Sequence, residues 1–330
     1  MACPEHTDIP AAVRSRARGC MLGQLAGDSL GSLVEFLDAA EIRRRYPGGV
    51  RLLADGGPFD LIAGQPTDDS EMALAMARVL AGIGRYDARP MHRVYFLWLR
   101  SHPFDCGITI ANALLDSPNP TSQANGALMR VSPLGIFGAG RKRADVMAWA
   151  KKDAALTHVH PVCGQANALF AALLAHAMRE GGTGAELYET LLGWMKRMKL
   201  EPALRKAVER AAHEKPRDCQ SQMGWVLIAL QNALWQMLRA PSFEEGVVDT
   251  VMQGGDTDTN AAIAGALLGA MYGEQAVPAQ WREAVLNCRP EAGRPGVHEP
   301  RPECCWPVDA LELADAVLEA GWNRRFPDRI

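Results

Sequence analysis

The stretch QGGDTDTNAAIAGALLGAMYG, residues 253–273, sets two carboxylates and two threonine hydroxyls behind a Gly-Gly pair and ahead of a run of very small residues. Gly265, Gly269 and Gly273 recur every fourth position beside Ala261, Ala262, Ala264 and Ala266, a spacing that lines them up on one helix face. A second such ridge lies in 11–32, where Gly19, Gly23, Gly27 and Gly31 repeat the spacing. An interior Gly costs up to about 1 kcal/mol against Ala. Seven of them therefore predict two central helices, mutually buried, whose contact requires the missing side chains. The same spacing marks membrane helix dimers, but Arg14, Arg16, Arg18 and Asp28 argue against that here.

Elsewhere apolar residues recur mostly at helical spacing and strict alternation is scarce, so the chain reads as all-α. Candidate helices cover 11–32, 69–83, 90–101, 143–155, 161–180, 184–198, 202–213, 222–238, 243–252, 258–273, 278–286 and 308–320. Residues 287–307 hold five prolines and predict an extended strap before the last helix. With no composition break, the expectation is an N-terminal tail over 1–15 and one domain over 16–330.

The 330 residues are 48% hydrophobic and carry a net charge of −3, with Lys and Arg scattered. That is enough apolar material for a large core, and it gives no basic field for nucleic acid. No segment approaches the roughly 18 apolar residues of a membrane span, and the N-terminus lacks a signal peptide's apolar core. A cytoplasmic protein is expected. Its eight cysteines show no C-x-x-C spacing and read as reduced, mostly structural thiols.

GQPTDDSEMALAMARVLAG, residues 64–82, has the grammar of the opening stretch: Thr67, Asp68 and Asp69 precede an Ala- and Met-rich helix. Helix starts favour Thr and Asp as caps and favour negative charge. One cap needs one oxygen, however, and each acidic knot supplies at least three. A capping box of Asp68 with Glu71 would leave Thr67 and Asp69 over. Neither knot contains Lys or Arg, so a cation between the carboxylates would satisfy both. All-oxygen donors suit Mg²⁺, Mn²⁺ or Ca²⁺ and not a zinc cage. DTDTN also matches the opening of an EF-hand loop, but Ala261 stands where that loop needs Gly and Leu267 where it needs Glu. A D-x-D phosphotransferase nucleophile should follow a buried strand, and VMQGG is a poor one.

Six ordered blocks, GCMLGQLAGDSLGSLVEF, PTDDSEMALAMA, NGALMRVSPLGIF, LTHVHPVCGQANALFAALL, GGDTDTNAAIAGALLGAMYG and RPECCWPVDALELADAVL, together resemble the ADP-ribosylglycohydrolase family. The likeness runs from about residue 16 to 320 and is strongest to the bacterial dinitrogenase-reductase-activating, ADP-ribosylarginine hydrolase type. It implies a compact orthogonal multi-helix bundle that holds two divalent cations, Mg²⁺ or Mn²⁺, and removes ADP-ribose from a modified target, often arginine. Carried over residue by residue, it implies Thr67, Asp68 and Asp69 on one side of a dimetal centre and Asp256, Asp258 and Thr259 on the other. It implies Glu35 at the metals or in acid–base catalysis, Asn125 and Gly126 in a pyrophosphate-binding turn, and His158 near the ADP-ribose. Asp69 or Glu35 would then activate water. Read alone, Glu35 is a helix-end charge, Asn125-Gly126 a common turn and His158 a partly buried cap. The partners implied are an ADP-ribosylated protein or ADP-ribose derivative and a counterpart transferase or toxin. The alternative is a non-catalytic ADP-ribose-binding or toxin-neutralising protein on the same scaffold. The chain departs from the family pattern at Cys305, where relatives often carry an aromatic.

Overall fold

The two glycine ridges meet, as the computed structural model of residues 8–322 shows. A Cβ on Gly23 would collide with the carbonyl oxygen of Gly265, and one on Gly27 with that of Ala261. Backbone therefore lies directly on backbone. The register runs antiparallel, from Gly19 against Gly269 to Gly31 against Asp258, so the end of the first ridge abuts the start of the second.

In chain order the described helices are α1 (Ala11–Gly31), α2 (Ala39–Arg45), α3 (Asp68–Ile83), α4 (Ala88–Leu99), α5 (Ile108–Leu114), α6 (Ser132–Gly138), α7 (Arg143–Ala154), α8 (Pro161–Glu180), α9 (Gly184–Met195), α10 (Pro202–Arg210), α11 (Val226–Arg239), α12 (Phe243–Val251), α13 (Thr257–Tyr272), α14 (Ala279–Asn287) and α15 (Ala310–Trp322). Among the described residues β structure is limited to three isolated bridges, so the all-α expectation holds. Helix α13 is buried from Thr257 to Ala270 and forms the axis of the bundle with α1. Helices α11 and α12 pack on α13, α8 on α7 and α6, and α15 on α1, α3 and α6.

Local chemistry accounts for the helix limits. The imidazole of His160 accepts the Val162 amide at 3.2 Å ahead of Pro161, and Thr183 with Glu186 forms a capping box on α9. Helix α11 starts at Val226 and not near 222, because Gly224 has φ +77° and the Ala124–Trp225 bridge holds the preceding backbone extended. Three short helices, α2, α5 and α6, were not expected, and each has only seven residues. The strap over 287–307 contains turns and one 3-10 turn, Glu303–Cys305. Ala11–Ser15, assigned above to a tail, form the start of α1, and residues 1–7 lie outside the described residues.

Candidate active site

Asp28, buried in α1, reaches across to the start of α3. Its carboxylate accepts the Thr67 hydroxyl at 2.9 Å, the Thr67 amide at 3.2 Å and the Ser70 amide at 3.1 Å. The first turn of α3 is thus capped from another helix, and Thr67, in the N-cap position, makes no side-chain cap of its own. Asp256 likewise precedes α13 without capping it. The side chains of both knots are left for other work.

Those knots meet. The Thr259 hydroxyl donates to Asp69 Oδ2 at 3.3 Å, and the Thr67 hydroxyl lies 3.2 Å from the same oxygen. Carboxylate oxygens of Glu35, Asp105 and Asp258 all lie within 4.8 Å of one another. Asp68 Oδ2 accepts the Gly107 amide at 3.3 Å. Asp258 takes its own neighbour's amide, Thr259 N, at 2.9 Å, while the Thr257 hydroxyl donates to the Gly31 carbonyl at 2.7 Å and fixes α13 on α1.

A cleft of about 310 Å³ opens over this cluster. Glu35, Asp68, Asp105, Asp256, Asp258 and Thr259 line it, and Asn125, Gly126 and His158 form the facing wall. Thr67 and Asp69 sit beneath, almost fully buried. The Asn125 side chain donates to Asp256 Oδ2 at 2.7 Å and its amide to the Gly224 carbonyl at 2.8 Å, so this turn is braced against the second knot. A Cβ on Gly126 would lie 2.9 Å from Ile110 Cδ1 and 3.2 Å from His158 Cε1, which explains a residue without a side chain there. His158 Nδ1 pairs with the Thr157 hydroxyl at 2.8 Å, and its buried Nε2 has no partner. Burial, with the Arg130 charge second, pushes His158 down to about 3, so the ring is neutral.

The carboxylates are pushed the other way. Burial, then the charges of Asp105, Asp256 and Asp68, raises Glu35 to about 9. Burial raises Asp28 to about 7 despite its hydrogen bonds. Asp68, Asp69, Asp105 and Asp258 are raised as well, by burial first and then by the charge of neighbouring carboxylates, Asp256 among them. The two fully buried salt bridges among the described residues, Arg130–Asp153 and Arg301–Glu71, use other carboxylates. Glu35 Oε2 and Asp69 Oδ1 are buried with no partner. Hard oxygen donors, orphaned lone pairs and uncompensated negative charge together fit a metal ion.

Three residues that position this site were missed in the sequence. Asp28 was noted only as a charge unsuited to a membrane helix, and nothing in its neighbours marks it as a cap for a segment forty residues away. Asp105 sits in a loop with no pattern around it. Arg130 is completely buried, is paired with Asp153 and donates to the Gly126 carbonyl at 3.2 Å. Its place at the end of NGALMR was the one available signal.

The relatives of this all-α scaffold, with its carboxylate cluster under a cleft, are glycosyl-bond hydrolases. The family model for ADP-ribosylglycohydrolase matches residues 9–324, and the chain belongs to that family. It is 34% identical over 278 residues to ADP-ribosyl-(dinitrogen reductase) glycohydrolase of Rhodospirillum rubrum, a match covering 82% of this chain and 90% of that one. It is 30% identical over 298 residues to ADP-ribosylarginine hydrolase Tri1 of Pseudomonas putida (strain GB-1), covering 84% of this chain and 76% of that one. A solved structure described as an ADP-ribosylglycohydrolase-related protein complex superposes with a TM-score of 0.78 at 29% identity, covering 94% of this chain and 100% of the other.

Proposed function

We propose that the chain hydrolyses the N-glycosidic bond between ADP-ribose and an arginine side chain on protein, with two divalent cations, Mg²⁺ or Mn²⁺, held between α3 and α13. The observation that carries this reading is the convergence of Glu35, Asp105 and Asp258 within 4.8 Å beside the Thr259–Asp69 link. Arginine is favoured because the relatives named above include an ADP-ribosylarginine hydrolase.

Thr67, Asp68, Asp69, Asp256, Asp258 and Thr259 would hold the cations, which when bound orient ribose hydroxyls and polarise water. Cleavage at the anomeric carbon passes through an oxocarbenium-like state and needs a proton for the leaving nitrogen. Glu35 lines the cleft and has a free oxygen, so it is the acid–base group. Asp69, the other residue expected in that role, lies beneath the cleft with Oδ2 accepting the Thr259 hydroxyl, and acts as a holder. Asn125 braces the wall through Asp256. Gly126 gives room for the diphosphate, and neutral His158 offers Nε2 to the sugar-nucleotide, so that binding remote from the bond supplies positioning.

No helix among the described residues is long and apolar enough to cross a membrane. We place the reaction in the cytoplasm, acting on marks that a transferase or toxin installs. The test is a panel of ADP-ribosyl-arginine protein, ADP-ribosyl-serine peptide and O-acetyl-ADP-ribose, each with Mn²⁺, Mg²⁺ or chelator, with free ADP-ribose quantified. Metal-dependent release from the arginine conjugate is expected. Release from another member alone would overturn the acceptor, and release from none would overturn the enzyme.

A further inference from the structure

Cys304 and Cys305 are adjacent in the 3-10 turn that closes the strap, with Cys304 exposed and Cys305 buried. Each thiol is the other's strongest titratable neighbour: Cys305 holds the Cys304 thiol down, and Cys304 holds the Cys305 thiol up. The turn is fastened to α3 at two points seven residues apart, which share a face of that helix. At one, Arg78 donates to the Cys304 carbonyl at 3.0 Å and pairs with Asp309. At the other, Arg301 makes a bidentate pair with Glu71 at 2.7 and 2.8 Å, and its carbonyl accepts the indole N–H of Trp306, next to Cys305, at 2.8 Å.

Arg301 does more than hold the strap. It donates to the Ser101 carbonyl at 3.0 Å, to the His102 carbonyl at 3.2 Å and to the Ser101 hydroxyl at 2.9 Å. The segment so fixed leads directly to Asp105 and to Gly107, whose amide meets Asp68. Glu71 stands two residues beyond Asp69 and also accepts the Trp98 indole N–H at 2.7 Å. Arg301 therefore joins the dithiol turn, through its carbonyl, to the first turn of α3 and the loop that carries a carboxylate of the cleft, through its guanidinium.

We propose that Cys304 and Cys305 form a hydroperoxide-sensitive site whose oxidation to a disulfide loosens Arg301 and lowers turnover. The Cys304 thiolate attacks the peroxide oxygen, giving a sulfenic acid and releasing hydroxide, which takes up a proton to leave as water. The Cys305 thiol then attacks the sulfenic sulfur, forming the S–S bond and releasing the second water. In sum, two thiols and one hydrogen peroxide give one disulfide and two waters.

Selectivity within the chain follows from exposure and charge. The neighbouring Cys305, and then the Arg78 charge, holds the Cys304 thiol below the usual range, which favours the reactive thiolate. Cys106, beside the cleft, is pushed up to about 12 by burial and by Asp68 and Asp105, and Cys20, Cys163, Cys219 and Cys288 are buried. Adjacent Cα atoms stand about 3.8 Å apart, closer than disulfides ordinarily span, so the oxidised turn must rearrange. Trp306, whose indole N–H holds the Arg301 carbonyl, is thereby drawn from its place. Strained and exposed disulfides are also the readily reduced ones, which makes the change reversible.

The loss of turnover rests on the hydrolase reading, so the test includes readouts that do not. The purified chain is treated with hydrogen peroxide and alkylated with iodoacetamide. The Cys304–Cys305 peptide is then weighed, and both the Mn²⁺-induced rise in melting temperature and ADP-ribose release are measured, before and after dithiothreitol. The expected result is a peptide lighter by two hydrogens and closed to alkylation, a smaller Mn²⁺ shift, and turnover reduced about tenfold, the scale of lost outer-shell support, all restored by reductant. Cys304→Ser should keep the basal rate and resist peroxide. If the disulfide forms and the Mn²⁺ shift shrinks in a protein that releases no ADP-ribose, the thiol site stands and the hydrolase reading falls. A peptide that stays open to alkylation while other thiols oxidise would overturn the proposal. So would a disulfide that leaves the Mn²⁺ shift unchanged, or a Cys304→Ser protein inactivated as fast as the parent.

Discussion

Thr259 donates its hydroxyl to Asp69 Oδ2 at 3.3 Å, across 190 residues of chain, and this bond joins the two acidic knots beneath the cleft. Thr259→Val keeps the shape and removes the donor. We expect Mn²⁺ affinity and turnover to fall about tenfold or more, as for other groups that orient ligands. Titration calorimetry alongside a thermal melt checks this, and wild-type affinity in the variant would contradict it.

The glycine ridges make a sharper claim about stability. Gly27→Ala drives a methyl group into the backbone of Ala261, which cannot yield as a side chain can. A loss at the upper end of about 1–3 kcal/mol is expected. Gly193, inside α9, has open space around it, and Gly193→Ala should gain up to about 1 kcal/mol. Urea denaturation of both variants separates packing from propensity.

These contrasts show what the sequence could and could not reveal. Four-residue spacing in α1 and α13 is a short-range signal, so the central pair was legible, as was the surplus of oxygens in each knot. The antiparallel register, which brings Gly31 to Asp258, is not specified by that spacing, since equal ridges can pair in either direction. Asp28 and Asp105 act through contacts distant in sequence, and a single Asp in a helix or loop has no period to betray it. Thr67 is spared from capping α3 for a long-range reason too, since Asp28 supplies the acceptors from α1. Helices α2, α5 and α6 span two turns or fewer, too short for an apolar period to register.

The raised carboxyls predict how the metal-free protein responds to pH. A carboxyl whose folded-state pKa lies above its ordinary value contributes fully below that ordinary value, and the contribution is lost as pH climbs through the folded one. Glu35 moves from 4.5 to about 9 and Asp28 from 3.8 to about 7. In chelator, the melting temperature should therefore fall as pH rises from about 5 to 9. Saturating Mn²⁺ should reverse the trend, because cation binding needs the deprotonated ligands. A metal-free melting temperature that rises over this range would refute the assignment.

Gly126→Ala tests the facing wall. The added methyl presses on Ile110 and His158, not on the acidic cluster. KM for the ADP-ribosylated substrate should rise about tenfold with kcat changed less, since the group perturbed binds substrate remote from the reacting bond. Steady-state kinetics at saturating Mn²⁺ provide the check. A fall in kcat alone would place Gly126 elsewhere in the reaction.

The central claim is that these buried carboxylates exist to hold catalytic cations. Titrating Mn²⁺ into chelator-stripped protein by calorimetry, while following ADP-ribose release from ADP-ribosyl-arginine protein in the same samples, measures it directly. The account predicts two ions bound per chain, turnover returning in step with occupancy, and both lost in Asp258→Asn. Full turnover in the stripped protein, or no heat of binding, would contradict it.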